Sequence, residues 1–85
     1  MTISKVEKEK NTYYCAYIVG VSDPTKWLKL SANSEEEAKS KATDYLHRVE
    51  GDSLTYINIV TSDDFDYYKA FQWRHGIEVN AKEVE

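Results

Sequence analysis

SEEEAKSKATDYLHRVEG, residues 34–51, reads as one complete helix, and the rest of the chain is arranged around it. Ser34 suits the N-cap, where its hydroxyl accepts from an otherwise unpaired first-turn amide. Glu37, three residues on, is placed to reach back to the Ser34 amide and close a capping box. Glu35, Glu36 and Glu37 set negative charge at the positive end of the helix dipole. Ala38, Ala42, Tyr45, Leu46 and Val49 recur at helical spacing and form one apolar stripe. Gly51 supplies the permissive backbone that ends a helix. An amphipathic helix must bury its stripe, and the flanking segments alternate like strands.

Thr12 to Val21 is rich in aromatic and β-branched residues and reads as a strand. Tyr14, Ala16 and Ile18 share one side of it; Tyr13, Cys15, Tyr17 and Val19 share the other. Both sides are apolar, so the core face stays open, and a central place in a sheet would account for the pattern. Ser22-Asp23-Pro24-Thr25 reads as a turn. Lys26 to Ala32 follows as a second strand, with Trp27 and Lys29 on one side and Leu28 and Leu30 on the other. The short loop makes the pair an antiparallel hairpin. After the helix, Leu54 to Val60 forms a third strand, with Thr55, Ile57 and Ile59 opposite Tyr56, Asn58 and Val60. Ile77 to Val84 alternates as a last strand, turning at Gly76 and pairing with the segment before it. The Lys/Glu-rich residues 1–11 are expected to fray, with Ile3 and Val6 able to start a strand.

Thr61 to Gly76 supports two readings. Thr61-Ser62-Asp63-Asp64 opens like a helix N-terminus, Phe65, Tyr68 and Phe71 or Gln72 keep a helical period, and His75-Gly76 would close it. Phe65, Tyr67, Lys69, Phe71 and Trp73 also alternate, and their aromatic content favours a strand from about Tyr67 to Trp73 with Asp63-Asp64 in a hairpin loop. The strand is preferred. The expected architecture is α+β, a single domain over residues 1–85. One amphipathic helix packs on an antiparallel sheet of four to five strands in the order β-β-α-β-β-β, or with a short second helix in place of the fourth strand.

Eighty-five residues make a thin core, with a net stability of about 4–8 kcal/mol. A single cysteine, Cys15, forbids an internal disulfide, reads as a small buried hydrophobe, and fits a reducing, cytoplasmic setting. Nothing near Met1 is apolar enough for a signal peptide or membrane span. Charge is uneven. Residues 1–34 carry five Lys against three acids, and residues 35–66 carry nine acids against Lys39, Lys41 and Arg48. That acidic middle disfavours a general phosphate-backbone binder and suits a basic partner.

No catalytic motif emerges. His47, His75 and Cys15 have no zinc-ligand spacing. Cys15 sits inside a strand, away from the electropositive setting a thiolate nucleophile needs. The serines lack a Gly-x-Ser-x-Gly context, and three glycines make no phosphate cradle. Asp63, Asp64 and Asp66 share one wet environment, whereas acid–base pairs need two different ones. The chain is therefore expected to be no enzyme and to need neither metal nor cofactor.

The aromatic residues stand out: seven Tyr, two Trp and two Phe. Large aromatics fill small cores, and Tyr and Trp also anchor interfaces. The expected partner surface is Asp63, Asp64, Asp66, Tyr67, Tyr68 and Trp73, with Glu35, Glu36 and Glu37 second and Trp27 as a further exposed aromatic. The expected partner is a protein with a basic surface. The alternative is a small nucleic-acid-binding regulator that uses the aromatics and lysines of the first hairpin, with Lys5, Lys8, Lys10, Lys26 and Lys29 as its basic surface. An exposed first or last strand could also pair into a dimer.

The order of hairpin, then Ser34-Glu35-Glu36-Glu37-Ala38-Lys39-Ser40-Lys41-Ala42, then further strands resembles several small phage-encoded anti-CRISPR proteins. The resemblance lies in architecture and in the helix entry, and carries over no functional residue. It implies a non-enzymatic inhibitor, acting in the host cytoplasm, that binds a CRISPR effector subunit so that DNA cannot bind or be cut.

Overall fold

The computed structural model describes residues 11–21 and 24–84. Four strands and two helices follow in the order β1 (Asn11–Val19), β2 (Lys26–Ala32), α1 (Glu35–Val49), β3 (Leu54–Thr61), α2 (Ser62–Arg74) and β4 (Ala81–Glu83). The expectations for the Lys/Glu-rich start and for Ser22-Asp23 lie outside the described residues.

The strands form one sheet in the order β3-β1-β2-β4. β1 is central, antiparallel to β2 with Cys15 opposite Leu28, and antiparallel to β3 with Cys15 opposite Ile59. Its two apolar sides now have a cause, because each face of the sheet is covered by a helix. On the α1 side, Cys15, Tyr17, Leu28, Leu30 and Ala32 pack with Ala38, Ala42 and Leu46. On the α2 side, Ala16, Trp27, Phe65 and Val79 form a smaller core, with Tyr14, Val60 and Tyr68 against it. Successive strand side chains point to opposite faces, so one strand can feed both cores.

α1 begins as expected, with the Ser34 hydroxyl accepting from the Glu37 amide at 3.1 Å. The reciprocal half differs: Glu37 Oε1 accepts from the Asn33 amide at 2.6 Å, one residue before the expected Ser34. Gly51 takes φ +63° just past the helix, the left-handed conformation that favours glycine there. The stripe ends at Leu46; Val49, the last residue of α1, is exposed and stands outside the packed cluster.

Three expectations are corrected. Residues 62–74 are helical and not a strand from Tyr67 to Trp73, because both ends are capped. The Thr61 hydroxyl accepts from the Asp64 amide at 3.2 Å, and Asp63 and Asp64 occupy the first turn. At the other end, the Ile77 amide donates to the Gln72 carbonyl at 2.9 Å and the Gly76 amide to Trp73 at 3.0 Å. With Gly76 at φ +78°, that pair of bonds is a Schellman closure. The last strand is also shorter than Ile77–Val84, since only Ala81–Glu83 joins the sheet while Val79 is buried on the α2 side. Finally, β4 runs parallel to β2, with Trp27 opposite Ala81, so the sheet is mixed and not wholly antiparallel. Parallel neighbours need a crossover, and the stretch from α1 through α2 supplies it.

Candidate protein-docking surface on the second helix

α2 is held by a narrow inner face. Phe65 is 3% exposed. It stacks on Tyr14 with ring centroids 3.8 Å apart and planes 4° from parallel. It meets Trp27 edge-on at 4.9 Å. Tyr68, one turn on, leans against Trp27 at 5.2 Å, and Gln72 is half-buried. Phe65, Tyr68 and Gln72 thus take the sheet-facing positions at i, i+3 and i+7.

The remaining positions turn outward and carry large apolar groups. Tyr67 is 79% exposed, Trp73 74%, Phe71 49%, and Ile77 just beyond the helix 52%. Helical spacing sorts them into two ridges. Asp63 and Asp64 lead one turn on to Tyr67 and then to Phe71, whose ring lies 4.6 Å from His75. Asp66 leads through Ala70 to Trp73. Each ridge begins acidic at the helix N-terminus and ends aromatic at the C-terminus. Among the described residues, none of the three aspartates forms an ion pair. Beside Trp73 runs an open groove of about 610 Å³ lined by Lys69, Gly76, Ile77, Glu78, Val79 and Asn80.

The expected site residues divide accordingly. Asp63, Asp64, Asp66, Tyr67 and Trp73 come together on the outer side of α2. Tyr68 belongs to the same helix but is half-buried against Trp27. Trp27 is corrected: it is 9% exposed, enclosed between the sheet and α2, because its strand position shares a face with Ala16. Glu35, Glu36 and Glu37 lie on α1, across the sheet from α2, and cannot act with the aspartates on one flat partner. Glu37 is also occupied locally, with Oε1 on the Asn33 amide and Oε2 3.8 Å from Lys41 Nζ. Phe71 and Ile77 complete the apolar patch and are absent from the expected set. A helical reading of Asp64, Tyr67 and Phe71 would have found Phe71.

The first hairpin offers little for nucleic-acid stacking. Tyr17 and Trp27 are buried, Tyr14 is covered by Phe65, and only Lys26 and Lys29 of its described lysines stand in solvent. Lys5, Lys8 and Lys10 lie outside the described residues. Stacking needs open ring faces, and here a helix covers each side of the sheet.

Cys15 is fully buried, and burial pushes its thiol up to about 11 from an ordinary 9.0. A raised thiol pKa favours the folded state while the thiol is neutral. Stability is therefore expected to fall as pH rises from the unfolded value of 9.0 toward about 11 and to level off beyond it. The Cys15→Ala variant should lose this component of the alkaline transition in a pH series of thermal melts. In the native protein a thiol reagent should leave Cys15 unmodified at neutral pH until unfolding exposes it.

Fold and surface together define a small α+β domain whose sheet is closed on both faces and whose second helix presents an acidic and aromatic outer side. Comparison of the chain with family models, with curated proteins and with solved structures gives no match in any of the three. No described helix is long and apolar enough to cross a membrane.

Proposed function

We propose that this protein is a non-enzymatic interaction module that docks α2 onto a basic partner protein, and that the partner is a nucleic-acid-processing effector whose DNA binding or cleavage it blocks. The observation that carries the reading is the outer side of α2, where Tyr67, Phe71 and Trp73 stand in solvent behind three aspartates. Exposed large aromatics concentrated on one helix are costly to leave in water and serve as interface anchors. An anchored helix with apolar ridges fits a groove in a partner. The aspartates at its head match the lysines and arginines with which such an effector holds phosphates, and they steer encounter and fix register. The resemblance to anti-CRISPR proteins, in the order of hairpin, helix and further strands and in the helix entry, makes a CRISPR effector the first partner to try.

The test is a DNA-cleavage assay on a panel of purified CRISPR effectors. The protein is expected to inhibit at least one, less well at high salt, and Asp63→Lys combined with Asp64→Lys should weaken inhibition by about tenfold or more through like-charge repulsion. Inhibition untouched by salt and by both substitutions would sink the acidic mechanism. No inhibition of any effector would remove the inhibitor reading.

A further inference from the structure

We infer that the free edge of β3 pairs with the same edge of a second copy of this chain, joining two four-stranded sheets through a two-fold axis. Among the described residues, β3 lies at one end of the sheet order and pairs only with β1. No described residue takes up the backbone N–H and C=O groups of its outer side, and sheets usually protect such an edge. The two edges of this sheet are treated differently. β4 is three residues long and carries Lys82 and Glu83, which is the usual protection of shortness and charge. β3 is eight residues, LTYINIVT, with no charged residue and no proline, in a chain that is 31% charged. Among the described residues, nothing pairs with it on the outer side.

The occupant follows from the same composition. A strand meeting itself antiparallel sets only the residue on the axis opposite its own copy, and β3 has no charge to bring face to face with a like charge there or at any other pair. A foreign basic partner would gain nothing from this strand, because the acids that attract it stand on α2. Antiparallel pairing about an axis normal to the sheet requires opposed residues to share a face. Centred on Asn58, it sets Asn58 against Asn58, Ile57 against Ile59, Tyr56 against Val60 and Thr55 against Thr61. Tyr56, 47% exposed in the single chain, then covers a β-branched residue of the second copy, a favourable cross-strand pair. Asp52 and Asp64 flank the strand, and Asp52 of each copy lies toward Asp64 of the other, so salt should tighten this contact while it loosens docking through α2.

Sedimentation equilibrium at about 100 μM chain is the test, a range that a specific homodimer populates by mass action. The wild type is expected at twice the chain mass, with more dimer at high salt. Asn58→Lys, at an exposed position, should give a monomer with an unchanged circular dichroism spectrum. Mixing it with Asn58→Glu should restore a dimer, because opposite charges then meet at the axis. A monomeric wild type at that concentration overturns the inference. So does a dimer that Asn58→Lys leaves intact, or a monomer whose outer β3 amides are protected from exchange.

Discussion

Phe65→Ala is expected to destabilise the protein by about 3–5 kcal/mol, the usual range for truncating a buried phenylalanine. Phe65 is the only fully buried residue of α2. Its ring is sandwiched between the face of Tyr14 at 3.8 Å and the edge of Trp27 at 4.9 Å. The core on this side is small, made of Ala16, Trp27 and Val79 besides Phe65 itself, so little remains to hold the helix once the ring is gone. Such a loss is a large share of the net stability of a domain this size. Two readouts separate detachment of α2 from global unfolding. Hydrogen exchange should show α2 amides losing protection before those of β1, and Trp27 fluorescence should shift to the red as its cover leaves. An unchanged melting curve would contradict the placement of α2.

Leu46→Ala is expected to cost about 2–5 kcal/mol, by loss of transfer energy and creation of a cavity on the other face. Leu46 has no solvent exposure and packs in the cluster with Leu28, Leu30 and Ala42. Alanine is at least as good a helix former as leucine, so the loss reports packing and not propensity. Val49→Ala, on the same predicted stripe but exposed, should change stability by about 0.5 kcal/mol or less. Thermal melts of the pair check the boundary of the core directly: equal effects would mean that the stripe runs to the end of the helix.

Much of the fold was legible in the residues. The α1 boundaries, the Ser34 cap, the hairpin, the faces of β2 and β3 and the central place of β1 all follow from periodicity and turn chemistry. Residues 61–76 were not settled, because two signals overlap there. Every second residue from Phe65 to Trp73 except Lys69 is aromatic, which mimics a strand. The alternation is incidental: Tyr67, Phe71 and Trp73 face water, and only the Phe65, Tyr68 and Gln72 period meets the sheet. The cap residues Thr61 and Gly76 held the deciding information, since a helix closed at both ends satisfies its terminal amides and carbonyls locally. A strand at these positions also leaves the second face of the sheet without a covering layer. Without α2, Trp27 has no cover and reads as exposed, and the last strand has no crossover to make it parallel.

The same ambiguity shaped the candidate site. Asp63, Asp64, Asp66, Tyr67 and Trp73 stand out by their chemistry and do share a surface. Phe71 was missed, because only the helical register places it one turn beyond Tyr67. Charge alone groups the acids of α1 with those of α2, while the sheet lies between the two helices.

The most direct measurement of the docking claim is affinity capture from a bacterial lysate containing CRISPR effector complexes, read by mass spectrometry. Wild type is run beside Tyr67→Ala combined with Trp73→Ala, two exposed positions whose truncation leaves both cores intact. The account predicts that an effector subunit is retained by the wild type, released at high salt and lost from the variant. Retention of the same subunit by the variant, or capture of nucleic acid alone, would contradict it.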